Sequence, residues 1–365
     1  MSGPLVLYVH DLRGSGVVTN AIALAKRMGR ERETILVAGH DVGLNRDVDV
    51  APATLVVLAS AGDPDKRQDD VRRLRAFLRQ KRAAVAASMG NLGHKTFSRA
   101  TFGLKLKIVY RISNEIGREG RHYRNLKRWL RNKILLATAD KVVLVGHALA
   151  KNPMFARALA RGRAIYIPNG IDLEAANRQL QEASSGPEKR KRPDEATILF
   201  IGRIHPQKNL PCLIEAFALA NQQKSMRLVL VGGGKQKKVD RLAELAADLG
   251  VADRVEFAGE TKNVFAKLKE ADLFVLVSKW EGSSTALLEA MAAGVPIVAS
   301  QQAGDAAHVL DGGRYGALVD GDDCPAIARA ILQQLGEARV LPGKRAEDFD
   351  LRRTHDAYAA MFAAL

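Results

Sequence analysis

The chain has 365 residues, is 47% apolar and 26% charged, and sets 56 Lys and Arg against 40 Asp and Glu, for a formal charge of +16. This is the composition of a folded protein too long for one hydrophobic core, so two domains are expected; no stretch approaches the roughly 20 uninterrupted apolar residues of a membrane-crossing helix. The positive balance favours anionic partners, among them nucleic acid, anionic lipid and phosphorylated substrates.

In chain order, Leu5 to Val9 predicts a buried first strand. His10, Asp11 and Arg13 follow at once, without the basic start and long apolar run of a signal peptide. A helix is expected from about Val17 to Met28, then strands at Thr34 to Val37 and Leu55 to Leu58. Short apolar strands separated by helix-length segments are the pattern of a parallel sheet covered on both faces. After Ile167-Pro168-Asn169-Gly170-Ile171-Asp172 the chain turns polar, with Ser184-Ser185-Gly186-Pro187 and Lys189-Arg190-Lys191-Arg192-Pro193, which is linker composition. Beyond it, strands are expected at Ile198 to Ile201, Leu228 to Val231, Val255 to Ala258, Leu273 to Val277 and Ile297 to Ala299.

The reading is therefore α/β, with two doubly wound parallel-sheet domains facing across a cleft. The domains are 1–172 and 196–345, the linker region is 173–195, and 346–365 is a closing segment with helical spacing at Leu351, Tyr358, Met361 and Phe362. Cys212 and Cys324 lie far apart without paired spacing, so neither a disulfide framework nor a zinc site is expected, and a reducing cytosol is the natural compartment.

The chemistry concentrates between Phe274 and Pro296. A strand enters a tight turn at Glu281-Gly282, Ser283, Ser284 and Thr285 open a helix, and Gly294 with Pro296 ends it. The free amides of such a helix start bind anions. Glu281 before the helix and Glu289 within it are expected on the order of 12 Å apart at about 1.5 Å per residue. That exceeds the roughly 5 to 9.5 Å of a glycoside-hydrolysing pair but suits a nucleotide sugar, with phosphates between the carboxylates. Each glutamate read singly could equally be a solvated surface residue. After the strand at Ile198, Gly202 allows a turn, and Arg203 and Lys208 set two cations at the carboxyl end of the second sheet, where a diphosphate would sit.

These segments resemble the retaining glycosyltransferase family 4. The resemblance rests on Gly202-Arg203 with Gln207-Lys208-Asn209, Val231-Gly232-Gly233-Gly234, Phe257-Ala258-Gly259, Ala271-Asp272, and Glu281-Gly282 through Glu289-Ala290-Met291 with Gly294-Val295-Pro296. It is dense from about Tyr166 to Val319 and thin before it. It implies the GT-B fold, and a metal-independent, retaining transfer from a UDP- or GDP-sugar, UDP favoured, to a glycan or lipid-linked acceptor in cell-surface polysaccharide, lipopolysaccharide or glycolipid synthesis. No cofactor beyond the donor substrate is implied.

By residue, the resemblance implies Arg203 and Lys208 on the diphosphate, Glu281 on the donor sugar, Glu289 on the ribose, and amides near Ser284 and Thr285 on phosphate, with Gly202, Gly282 and Ser283 lining the donor. It also implies that the closing helix crosses back to the first domain, which would bind the acceptor. Arg13-Gly14-Ser15-Gly16 matches the family's glycine loop, so Gly14 and Gly16 would approach the donor phosphates; alone, such a turn is equally structural. The chain departs from the family at two places. Where relatives carry a histidine near the donor sugar, this chain has Val109-Tyr110-Arg111-Ile112-Ser113-Asn114, and Arg111, Ser113 and Asn114 are assigned to the substrate cleft. His308 stands near a position where relatives have glutamate.

Other signals are weaker. Asp-x-Asp recurs, as at Asp47 to Asp49, Asp63 to Asp65 and Asp320 to Asp322, and eight scattered histidines have no metal-ligand spacing. Between 118 and 133 lie Arg118, Arg121, Arg124, Lys127, Arg128, Arg131 and Lys133, interleaved with Tyr123, Leu126, Trp129 and Leu130. This reads either as an amphipathic helix on an anionic membrane surface or as a solvated face with its apolar side in the core. Nucleic acid is disfavoured because aromatics are only 5% and no recognition module is present. The expected location is cytoplasmic, either free or peripheral on the cytoplasmic face of the inner membrane. The oligomeric state is not legible. Two rival functions are a sugar-nucleotide epimerase on the same fold and a non-catalytic basic surface-binding protein.

Overall fold

A computed structural model describes residues 3–13, 15–43, 45, 47–60, 67–113, 122–184, 195–261, 263–336 and 342–365. The chain divides into two compact units, one made of Met1–Pro168 with Arg353–Leu365 and the other of Asn169–Arg352. Each unit has its own hydrophobic core.

The first unit contains strands β1 (Leu5–Asp11), β2 (Thr34–His40), β3 (Thr54–Ala59), β4 (Val85–Ser88), β5 (Lys107–Ile112), β6 (Lys141–Leu144) and β7 (Ala164–Tyr166). They form one parallel sheet in the order β3-β2-β1-β4-β5-β6-β7. Its helices are α1 (Gly16–Gly29), α2 (Arg67–Gln80), α3 (His94–Thr101), α4 (His122–Thr138), α5 (His147–Lys151) and α6 (Pro153–Ala160). The central strands are near-continuous apolar runs because helices cover both faces. On one face Leu5, Leu7 and Val9 meet Ile22, Leu24 and Met28 of α1. On the other, Val6 and Tyr8 meet Leu74 and Leu78 of α2 and Phe97 of α3.

The second unit begins with α7 (Leu173–Ser184), followed by β8 (Ala196–Ile201), α8 (Leu210–Asn221), β9 (Met226–Val231), α9 (Gln236–Asp248), β10 (Val255–Gly259) and α10 (Val264–Glu270). It continues through β11 (Leu273–Leu276), α11 (Thr285–Ala292), β12 (Ile297–Ser300), α12 (Ala306–Val309), β13 (Ala317–Val319) and α13 (Cys324–Gly336). The six strands are parallel in the order β10-β9-β8-β11-β12-β13. The last helix, α14 (Leu351–Ala363), lies from Arg353 onward in the first unit, where Tyr358, Met361 and Phe362 join the β1 and α1 core.

Two expectations are corrected. Residues 173–184, read as linker from their polarity, are helical: the Asp172 carboxylate accepts from the Ala175 amide at 2.9 Å as an N-cap, and Leu173, Ala176 and Leu180 recur at helical spacing against the second core. The rest of the linker reading, 185–194, lies outside the described residues. Cys212 and Cys324, expected unpaired, are joined in a disulfide with a Cα–Cα distance of 5.3 Å. They lie 112 positions apart, and only the packing of α8 against α13 brings them together. The bond also removes the argument from cysteine usage for a reducing compartment. No described helix is long and apolar enough to cross a membrane.

Candidate active site

In a doubly wound sheet, ligands bind beyond the carboxyl ends of the strands where the strand order reverses. In the second unit that point lies between β8 and β11, neighbours in the sheet although β9 and β10 intervene in sequence. The loops leaving these two strands carry Gly202, Arg203 and Lys208 on one side and Glu281, Gly282, Ser283 and Ser284 on the other.

The β8 loop is held by its neighbour. The Gly202 amide donates to the Val231 carbonyl at 2.9 Å and the Ile204 amide to the Gly233 carbonyl at 2.8 Å. The approach is so close that a Cβ on Gly232, whose φ is +142°, would stand 2.0 Å from the Gly202 oxygen, so only glycine fits there. The loop then makes a 3₁₀ turn over Pro206–Lys208, with the His205 ring accepting from the Gln207 amide at 3.1 Å. Asn209, left-handed at φ +51°, closes the turn and donates from its side chain to the Gly321 carbonyl at 2.6 Å.

The turn aims Gln207 and Lys208 at the β11 loop. The Gln207 amide side chain donates to the Trp280 carbonyl at 2.7 Å and to the Glu281 carboxylate at 3.2 Å. The Ser278 hydroxyl donates to Glu281 at 2.9 Å, and the Lys208 ammonium is ion-paired with the same oxygen, Oε1. Three donors therefore fix a carboxylate that is buried, which is the condition for burying a charge without prohibitive cost. The loop after β12 closes behind it: a Cβ on Gly304 would fall 2.5 Å from the Gly282 oxygen and 2.8 Å from the Glu281 oxygen.

Next to Glu281, α11 starts with Ser284 as an extended N-cap whose side chain does not cap the first turn. The amides after it therefore keep their donor capacity, on the positive end of the helix dipole. The Asn169 side chain donates to the Ser283 carbonyl at 3.2 Å, fixing the approach to that start. Thr285 is the first residue of α11 and Glu289 lies one turn further on. Glu289 is partly accessible at its edge, but protein surrounds its carboxyl, and desolvation pushes it up to about 7. Arg203 is exposed beside this cluster. Among the described residues no three His, Cys, Asp or Glu side chains gather as metal ligands.

The expected site residues of the first unit divide differently. Gly14 and Asn114 lie outside the described residues. Gly16 is the first residue of α1, capped by the Ser15 hydroxyl at 3.4 Å from the Val18 amide. Ser113 follows β5, half-buried. Arg111, expected to face the substrate cleft, is buried at the carboxyl end of β5, donates to the Met89 carbonyl at 3.2 Å and lies beside Tyr358 of α14. His308, half-buried on α12, packs edge-on to Phe349 at 6.0 Å.

Several groups around the site escaped the sequence reading. Gln207 sits inside the Gln207-Lys208-Asn209 motif, but its clamp on Glu281 is visible only in space. Ser278 carries no sequence signal. At the matching reversal point of the first unit, beyond β4, Ser88 Oγ and His94 Nδ1 are 2.7 Å apart in the core. Burial, with Arg131 and Arg111 nearby, pushes the His94 imidazole down to about 3, so it is neutral.

Residues 195–337 match the family described as Glycosyl transferases group 1. D-inositol 3-phosphate glycosyltransferase of Nocardia farcinica is 30% identical over 235 residues, covering 62% of this chain and 51% of the relative. The GDP-mannose-dependent alpha-(1-6)-phosphatidylinositol monomannoside mannosyltransferase of Mycolicibacterium smegmatis is 31% identical over 196 residues, covering 51% of this chain and 50% of the relative. The matches thus span about half the length of these curated relatives. Among solved structures, Anabaena Alr3699/HepE in complex with UDP and glucose aligns over 100% of both chains with a TM-score of 0.80 at 19% identity.

Proposed function

We propose that this chain is a family 4 glycosyltransferase of the GT-B fold that transfers a sugar from a UDP- or GDP-sugar to a glycan or lipid-linked acceptor, with retention and without a metal; the match of residues 195–337 to Glycosyl transferases group 1 and the relatives named above support the reading. The observation that carries the reading is the meeting of Lys208 and Glu281 at the reversal point of the second sheet, next to the open amides of α11. The phosphatidylinositol monomannoside mannosyltransferase among the relatives supports a role in glycolipid synthesis. UDP is favoured over GDP as the donor nucleotide; the Anabaena Alr3699/HepE complex holds UDP, whereas the Mycolicibacterium smegmatis relative is GDP-mannose-dependent, so both nucleotides are tested.

In this reading the α11 amides, Arg203 and Lys208 receive the diphosphate, Glu281 accepts from the donor sugar hydroxyls and Glu289 from the ribose hydroxyls. Negative charge grows on the diphosphate as the glycosidic bond breaks, so fixed cations and amides stabilise the transition state more than the bound donor. That is the work a metal would otherwise do. The acceptor hydroxyl attacks from the face the diphosphate leaves, its proton passing to the departing phosphate oxygen, and the anomeric configuration is kept. Acceptor binding is assigned to the first unit.

A thermal-shift panel of UDP, GDP, ADP and their sugars tests the donor, because a ligand of the native state alone raises the melting point. Donor-dependent release of nucleoside diphosphate, undiminished in EDTA, is the expected activity. Loss of turnover in chelator with rescue by manganese overturns metal independence. A new epimer formed from UDP-sugar alone replaces the transferase with an isomerase. Absence of any nucleotide binding leaves a non-catalytic surface protein.

A further inference from the structure

Helix α4 is amphipathic with its polarity reversed. At 3.6 residues per turn, positions 126, 130, 133, 134 and 137 share one side, and 128, 131, 132 and 135 the other. The side facing the core carries Asn132, 1% exposed, with Arg128 and Arg131 half-buried around the apolar Leu135. Burial, and then the neighbouring Arg128, lower the Arg131 guanidinium from its ordinary value. The side facing outward carries Leu126, Leu130 and Ile134 at 54%, 47% and 56% exposure, with Trp129 beside them. A helix that places arginine and asparagine inward and a leucine, tryptophan and isoleucine ridge outward is not arranged for water on that face.

Charge selects what covers the ridge. From His122 to Thr138 the helix carries Arg124, Lys127, Arg128, Arg131 and Lys133 and no acidic residue. Lys127 and Lys133 are exposed at the ridge, the Lys133 ammonium 3.9 Å from the centre of the Trp129 ring. Two copies of this face would bring like charges together as their apolar ridges met. An anionic bilayer matches both features: the ridge enters the acyl boundary and the lysines remain among the headgroups.

We propose that the outward face of α4, centred on Leu126, Trp129, Leu130 and Ile134 and rimmed by Lys127 and Lys133, docks the protein on an anionic lipid surface. This is independent of the reaction assigned above.

Co-sedimentation with vesicles of phosphatidylglycerol and phosphatidylcholine tests it. The full chain is expected to bind the mixed vesicles at least tenfold more tightly than pure phosphatidylcholine, less so at high salt, with a blue shift of tryptophan emission that Trp129→Phe removes. The double variant Leu130→Ser with Ile134→Ser is expected to lose at least tenfold in binding while its melting point and its thermal shift with UDP stay as in the wild type. Equal binding by that variant, or equal affinity for neutral vesicles, overturns the proposal. So does a wild-type dimer in light scattering that the same variant dissociates, which would make the ridge an interface between copies. The unchanged UDP shift separates failure here from failure of the transferase reading.

Discussion

Lys208 and Glu281 are ion-paired across 73 positions of sequence, with side chains only 13% and 10% exposed. Removing one partner of such a pair strands a charge in a poorly solvated place, typically at a cost of about 3–5 kcal/mol. Lys208→Ala and Glu281→Ala are therefore each expected to lower stability by about 3 kcal/mol as well as to stop transfer. The double variant is expected to regain part of the stability and none of the turnover. Urea denaturation alongside nucleoside diphosphate release measures both; single variants as stable as wild type would show that the pair is not energetically coupled.

Arg203 offers a contrast because it is exposed and in the same loop. Its removal should leave the fold within about 0.5 kcal/mol of wild type, as for most surface substitutions. If it stabilises the leaving diphosphate, kcat should still fall by roughly 10²–10³. A variant with full turnover removes Arg203 from the site.

Glu289 links pH to both stability and binding. Desolvation raises its carboxyl from 4.5 to about 7 in the folded chain, so between these values the native state holds a proton that the unfolded chain has released. Stability contributed by the protonated form is thus present below about pH 4.5 and lost as pH rises through 7. Glu289→Gln should flatten that part of the melting-point profile and raise the melting point at pH 8. If the ionised carboxylate accepts from ribose hydroxyls, UDP should bind wild type more tightly at pH 8 than at pH 6, and the Gln variant should show no such gain. Calorimetric titration at the two pH values decides it.

Gly304 lies where a side chain would strike the backbone of Glu281 and Gly282. Gly304→Ala should shift the Glu281 loop, reducing turnover more than donor affinity, since a reacting group misplaced by about 1 Å can cost on the order of 10²-fold. The ratio of kcat to KM effects separates this from a simple loss of folding.

The Cys212–Cys324 bond closes a separation of 112 residues, and such cross-links typically add about 2–4 kcal/mol. Reductant should lower the melting point of the wild type and leave that of Cys212→Ala with Cys324→Ala unchanged. A wild-type melting point insensitive to reductant would show that the bond does not stabilise the fold.

Local pattern alone determined a good deal of this protein. Alternating apolar strands and helical spacings marked both parallel sheets, because burial on both faces demands continuous apolar strands whatever the partner. The run from Glu281 to Pro296 marked a loop, a helix start and a helix end through turn and capping chemistry, which acts over a few residues. What only the tertiary structure decided depends on contacts between distant positions. Lys208 meets Glu281, and Cys212 meets Cys324, because parallel sheets interleave strands that are remote in sequence. The same interleaving buries Arg111 of β5 against the backbone that leaves β4, where it donates to the Met89 carbonyl. The basic helix showed amphipathic spacing in its sequence, but which face turns inward is set by the surface it lands on, and that surface took Asn132 and Leu135 and left Leu126 and Ile134 outside.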